Sequence, residues 1–462
     1  MKYLLLLTLV LLASNISPAQ EYKLDTLLFN GPSVDRINYV ILGDGYLVSQ
    51  MSLFLDDAQT LTNKLFNATP YKEYIDYFNI FTISVPSNES GAANNPNNLI
   101  DNYFGSTFNY AGIERLLVPT NQSRITEVLA NHFPSYDQVI MLVNSSKYGG
   151  SGGWVATAST HDQSNEIAIH ELGHSFAGLA DEYWAGAQYV RETYNMTQQS
   201  SPNLIRWKNW LNDENIAILP HSGNSSWKKP HSNCKMQFLG SPFCAVCREQ
   251  FIRVFHQSIS SIDDYNPKFL SSVDDKIDFE ISLVTPNPNT VQTSWLLNGL
   301  QIAMNVDSIE VNKTDLNDKN NVLTVKVYDE TTYDRRNSIY INSVTWNISN
   351  GISSSKSTKE EDRGKYIITS VELINKENIV ISVFPNPTSD QLKIEYELQR
   401  PSNIQLSLIN MNGQLIKTIY LENRHSGKQK AEIDLSQYDQ GVYFLKFESA
   451  FFEQTIPIIK GI

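Results

Sequence analysis

The chain has 462 residues, 41% hydrophobic and 18% charged, with a formal net charge of −13. That length and apolar content support two or three domains with their own cores and exclude a disordered chain. The acidic balance argues against a nucleic-acid partner, because phosphate binding needs a basic face.

In chain order, Met1 to Ala19 joins Lys2 to an apolar run from Leu4 to Ala13, broken only by Thr8, and closes on Ser17-Pro18-Ala19. This pattern predicts a signal peptide. Its apolar core is far shorter than the ~20 residues that span a bilayer. No later run approaches that length, so the mature chain is expected to lack a transmembrane segment.

Ile37 to Leu42 is a short apolar run ending at Gly43-Asp44-Gly45, which reads as a buried strand entering a turn. Phe54, Ala58, Leu61 and Leu65 recur at helical spacing between about 50 and 66. Phe78 to Val85 predicts a second strand, Ile125, Val128 and Leu129 a second helix, and Val139 to Val143 a third strand. Strands alternating with helices predict an α/β layer domain. The Asn-, Ser- and Gly-rich stretch 86–111 reads as an exposed loop, functional or filler. Residues 148–153 read as a flexible turn that lacks the Lys-Ser/Thr of a phosphate cradle.

His170-Glu171-Leu172-Gly173-His174 follows, with Ser164 as an expected N-cap, Glu166 in the first turn, and Ile169, Leu172 and Phe176 as an apolar stripe. Two histidines four residues apart leave one helix face a turn apart, which suits two Zn–N bonds of about 2.0–2.1 Å. Zn2+ is the expected cofactor. Glu171 adjoins the first ligand and can act as general base toward the attacking water, passing the proton to the leaving amine. Catalytic zinc usually takes a third protein ligand. Gly178 lets the chain leave the helix, and Asp181 then comes within reach; Glu182 and Glu192 compete for the same role.

The three cysteines, Cys234, Cys244 and Cys247, fall within fourteen positions. In an oxidising destination a local disulfide with one thiol left over is the simpler reading. His231-x-x-Cys234 with Cys244-x-x-Cys247 also has the spacing of a structural zinc site, and three free thiols are the remaining reading.

Beyond about residue 264 short alternating stretches such as Ile277 to Leu283 and Val322 to Tyr328 predict an immunoglobulin-like β-sandwich with Trp295 in its core. Ser353 to Lys365 reads as a solvated linker. A last β module follows from about 379, with Asn412-Gly413 as a hairpin turn. Phe384-Pro385-Asn386-Pro387-Thr388, Asn412-Gly413-Gln414, Gly441-Val442-Tyr443-Phe444 and Lys460 resemble the C-terminal sorting domain of the bacterial type IX secretion system. The resemblance implies a partnership with that machinery and passage through the periplasm and outer membrane, ending in release or attachment at the cell surface.

His170 through Trp184, His-Glu-Leu-Gly-His-Ser-Phe-Ala-Gly-Leu-Ala-Asp-Glu-Tyr-Trp, resembles the IgA-peptidase family, the igalysins among the metzincin metallopeptidases. Gly43 to Tyr46, Tyr148 to Gly150, Cys234 to Met236 and Phe243 to Arg248 extend the likeness. It implies that Asp181 completes the zinc site and that Met236 packs beneath the metal as a polarizable floor. Against the general metzincin spacing, Ala177 and Ala180 stand where Gly and the third ligand are expected; Gly178 and Asp181 come one residue later. In metzincins an edge strand just before the active-site helix binds extended substrate by backbone pairing. Trp154 to Ser159 could serve so, or could be an internal strand.

The expected fold class is thus an α/β metzincin-like catalytic domain with a mixed sheet and active-site helix, followed by two all-β sandwich modules. The expected boundaries are signal peptide 1–19, catalytic domain 20–263, sandwich 264–350, linker 351–378 and sorting domain 379–462. The expected function is a secreted or surface zinc endopeptidase acting on a protein or peptide substrate, with host or environmental glycoproteins among the candidates. The alternative is a surface glycoprotein-binding protein with a residual zinc domain, which the intact Glu171 argues against.

Overall fold

The computed structural model describes residues 22–462 except 269–271, 274–275, 318–319, 336–339, 351–365, 375–380, 387, 399–401, 411–413, 426, 450–452 and 462. The expected signal peptide, the Ser353–Lys365 linker and the Asn412-Gly413 turn lie outside these residues. Two compact units result: one runs to Ile259 and takes in Thr285–Thr290 and Glu330–Ser338, and the other holds the rest. Among the described residues no helix is long and apolar enough to cross a membrane.

The first unit is built on a mixed six-stranded sheet: β1 (Lys23–Leu28), β2 (Ile37–Asp44), β3 (Phe78–Ser84), β6 (Gln138–Val143), β7 (Gly150–Ser151) and β8 (Val155–Ser159), in the order β1-β3-β2-β6-β8-β7. A two-residue pair, β4 (Ser106–Thr107) and β5 (Val118–Pro119), stands apart. The four middle strands run parallel and the two edges antiparallel. Every residue of β2 is buried, as expected where helices cover both faces of a parallel sheet. On one face Val40, Leu42, Ile83, Val139 and Met141 meet Ile125, Val128 and Leu129 of helix α2 (Gln122–His132). On the other, Tyr39 packs edge-on to Phe176 at 5.3 Å and Phe78 to Phe255 of helix α4 (Ala245–Ser258) at 5.0 Å. Helix α1 (Met51–Leu65) buries Phe54, Ala58, Leu61 and Leu65, the stripe expected from the sequence.

Two local expectations become specific. The exposed stretch 86–111 is fastened at its inner positions: the Asp44 carboxylate, fully buried at the end of β2, accepts N–H bonds from Phe104 (2.9 Å) and Ser106 (2.9 Å) and an O–H bond from the Ser87 hydroxyl (3.2 Å). A buried carboxylate must gather such donors, and these come from the loop. Val155–Ser159 is an internal strand, because β7 pairs with its outer side at Thr157 and Ala158.

In the second unit, strands Ile262–Asn266, Lys276–Leu283 and Ser308–Asn312 form one sheet, facing a six-stranded sheet that includes Val291–Leu297, Asn320–Asp329 and Asn342–Asn350. Trp295 lies in the core as expected, stacked on Trp346 with ring centres 5.8 Å apart. Tyr366–Ile374, inside the expected linker, pairs with Asn342–Asn350 as a further strand of that sheet. The last module stacks Ile381–Phe384, Gln391–Leu398 and Gly427–Asp434 against a four-stranded sheet closing with Gly441–Ser449 and Glu453–Lys460. Lys460 is buried there, its ammonium donating to the carbonyls of Leu435 (2.6 Å), Ser436 (3.4 Å) and Tyr438.

Candidate metal centre

Helix α3 (Ser164–Ser175) packs on β7 and β8 and carries the candidate site. Its cap residue is Gln163, and Ser164 is the first helical residue, one position inside the expected cap. Glu166 in the first turn is paired with Lys235 and with Lys64 (3.3 Å). Ile169 and Leu172 are buried, so His170 and His174 are held on a helix whose other side is fixed in the core.

Past His174 the helix closes with N–H bonds from Gly178 to the His174 carbonyl (3.2 Å) and from Leu179 to that of Gly173 (2.8 Å). Gly178 has φ +65°, a left-handed conformation that side-chain-bearing residues disfavour. The chain then doubles back. Asn195 fixes the returning segment, accepting from Ala180 N–H (2.8 Å) and donating to the Ala180 carbonyl (2.8 Å).

This brings His170 Nε2, His174 Nε2 and Asp181 Oδ1 together at 3.1, 3.2 and 3.2 Å from one another. The other ring nitrogens are committed. His170 Nδ1–H donates to the Lys235 carbonyl (2.9 Å) and His174 Nδ1–H to the Leu179 carbonyl (2.8 Å). A carbonyl can only accept, so in the neutral imidazoles both Nε2 atoms carry lone pairs. Three lone-pair atoms then face one another, an arrangement that repels unless a proton or a cation lies among them. Three ligands of a tetrahedron with bonds near 2.0–2.1 Å stand about 3.3 Å apart, so the residues present fit a zinc ion.

Without a cation the triad polarises itself. Burial alone would lower the His174 pKa and raise that of Asp181, but their contact wins: His174 rises to about 9 and Asp181 is held well below the usual carboxylate range. Burial raises the pKa of Glu171, while the two imidazoles beside it pull it back. Glu171 shares with His170 a cleft of about 340 Å³, also lined by Arg115, Tyr148, Ile167 and Tyr183. Gly152, next to β7, presses on this group: a Cβ there would lie 2.8 Å from Glu171 Oε2 and 3.0 Å from the His174 Cβ.

The competing carboxylates go elsewhere. Glu182 is fully buried among the cysteines, and Glu192 pairs with Arg206 (3.2 Å) and accepts from Gln198 N–H (2.7 Å). Met236 is buried with its sulfur against Gly173, between the two histidines. Arg115 and Tyr183 were missed in the sequence; their only signal is that Tyr183 follows the ligand segment, and nothing marks Arg115. Tyr183 lies nearly parallel to His170 with ring centres 6.3 Å apart, and the Arg115 guanidinium sits 6.0 Å from the Tyr183 ring.

Residues 26–227 match the family described as IgA Peptidase M64, and residues 382–460 match the Secretion system C-terminal sorting domain. No curated protein matches. Among solved structures, OgpA from Akkermansia muciniphila is 9% identical over 94% of each chain, with a TM-score of 0.23. Dimeric latent PorU from Porphyromonas gingivalis is 10% identical over 43% of this chain, with a TM-score of 0.17, and only 20% of its own length is spanned. Such low scores carry no argument. The sorting domain indicates export, to the medium or the cell surface. Residues 26–227 are thus similar to the IgA Peptidase M64 family, and residues 382–460 to the type IX secretion sorting domain.

Proposed function

We propose that the chain is a secreted or surface-held zinc-dependent endopeptidase in which His170, His174 and Asp181 hold the ion and Glu171 is the general base. The observation that carries this reading is the triangle of three lone-pair atoms with both Nδ1–H groups already committed to carbonyls. Zinc held there would polarise the scissile carbonyl and acidify the attacking water. Glu171 takes the proton from that water at its carboxylate and delivers it to the departing amide nitrogen. Its place in the cleft beside His170 and His174 suits both halves of that transfer. Arg115 and Tyr183 face the same cleft and offer donors to the carbonyl oxygen as it gains charge. Asp181 balances charge at the ion, and the carbonyls of Lys235 and Leu179 keep both imidazoles in the ligating tautomer.

Glu171→Ala separates binding from chemistry. The variant should keep its zinc and lose cleavage of an unfolded protein such as casein by at least ~10²-fold; undiminished cleavage would sink the mechanism.

A further inference from the structure

A second cluster lies outside the candidate metal centre. Glu182, Cys234, Cys244 and Cys247 are all buried, and one ligand atom from each lies within 4.8 Å of the others. Cys234 Sγ is 3.7 Å from Cys247 Sγ, and Cys247 Sγ is 3.6 Å from Glu182 Oε1. Asn195 donates to Glu182 Oε1 (3.1 Å), but Oε2 is buried with no hydrogen-bond partner. A buried carboxylate beside three thiols, with one oxygen left without a partner, is costly unless a cation joins the group. Tetrahedral zinc, with Zn–S near 2.3 Å and Zn–O near 2.0 Å, separates sulfurs by about 3.8 Å and sulfur from oxygen by about 3.5 Å. The Cys234–Cys247 and Cys247–Glu182 spacings match these values. A disulfide would need about 2.05 Å and would leave Glu182 Oε2 without a partner.

We propose that Glu182, Cys234, Cys244 and Cys247 bind a second, structural divalent cation, with zinc the best fit to three thiolates and one carboxylate. His231, the fourth ligand suggested by spacing, is not in the cluster; its Nδ1 accepts from Asn233 N–H (3.0 Å). Lys229 is buried alongside and donates to the main-chain carbonyl of Glu182 (3.3 Å), offsetting part of the negative charge. The family match ends at residue 227, short of all three cysteines. Four protein ligands close the shell, so this ion fastens chain rather than meeting substrate. It joins Glu182 to Cys234, the neighbours of Asp181 and of the Lys235 carbonyl that orients His170, and Glu182 N–H already bonds the Met236 carbonyl between them (2.8 Å). That positioning role rests on the zinc-peptidase reading; the binding itself does not.

The test uses the full chain purified without chelator. Elemental analysis should find two zinc ions per chain in the native protein and one in His174→Ala. Cobalt loaded into zinc-stripped His174→Ala should give thiolate-to-cobalt charge-transfer absorption. Glu182→Gln, nearly isosteric and keeping all three thiols, should retain that band and release zinc to a chromogenic chelator at least ~10-fold faster. A disulfide between any two of the cysteines in the purified protein, or a His174→Ala chain without metal and without the band, overturns the proposal. A chain that shows the band yet cleaves nothing would count against the peptidase reading alone.

Discussion

Gly152→Ala probes how closely strand and helix must approach for Glu171 to act. A methyl group there would sit 2.8 Å from Glu171 Oε2, 3.0 Å from the His174 Cβ and 3.2 Å from its Cδ2. Carbon contacts are comfortable from about 3.5 Å, so the carboxylate must move by about 0.7 Å. The His174 Cβ is fixed to the helix and cannot swing aside. Glu171, with free torsions, takes up most of the displacement, away from the position where it meets water and leaving group. Misplacement on the order of 1 Å costs ~10²-fold, so kcat should fall roughly 10- to 100-fold with little change in KM. Overpacking should cost about 1–3 kcal/mol of stability. Steady-state cleavage of casein, zinc content by elemental analysis and thermal melting together decide it. A folded, zinc-loaded variant with kcat within about twofold of the native chain would refute the argument that this contact positions the base.

Stripping the metal should make stability depend on pH. His174, raised to about 9 when no cation is present, contributes stability that is complete below its unfolded pKa near 6.5 and lost as pH rises through 9. Asp181, held below the carboxylate range, contributes stability that is present above about pH 4 and lost only in strong acid. The stripped chain should therefore melt highest between about pH 4 and 6.5 and lose on the order of 3 kcal/mol by the alkaline side of pH 9. Equal melting temperatures at pH 6 and pH 9.5 would contradict this. Asn195→Ala removes the bonds to Ala180 and Glu182 and should weaken zinc binding ~10- to 100-fold; chelator competition measures it, and native affinity would show that Asn195 holds nothing. Lys460→Met keeps the stem but loses the ammonium from three carbonyls, so amide exchange around 435–438 should quicken, by roughly 10-fold for about 1.5 kcal/mol. Unchanged exchange there would rule out a fastening role.

How far the sequence carried the reading follows from distance along the chain. His170, Glu171 and His174 share one helix, where side-chain direction follows from spacing alone. The β2 strand was equally plain, since an unbroken apolar run has few homes other than a buried sheet. Asp181 lies beyond a turn whose path depends on Gly178 and on Asn195, so spacing could rank it only with help from a resemblance. Glu182 was weighed only beside the histidines, because the cysteines it lies among, Cys234 to Cys247, are more than fifty positions away. The anchoring of the polar stretch 86–111 was hidden for a similar reason: the carboxylate that gathers it, Asp44, belongs to a strand that precedes it. β7 escaped notice because two residues carry no periodicity, yet it decides that Val155–Ser159 is not an edge.

The placement of Asp181 beside Glu182 gives this segment a phase. One carboxylate reaches the histidines and the next reaches the thiols, so the two behave like adjacent teeth engaging separate gears. Inserting or deleting one residue between Leu179 and Asp181 would not merely lengthen the loop. It would bring the wrong tooth to each gear, presenting the longer acid or Ala180 where the shorter one belongs. Variation in chain length should be tolerated before Leu179, where Gly178 turns, and nowhere closer to the pair.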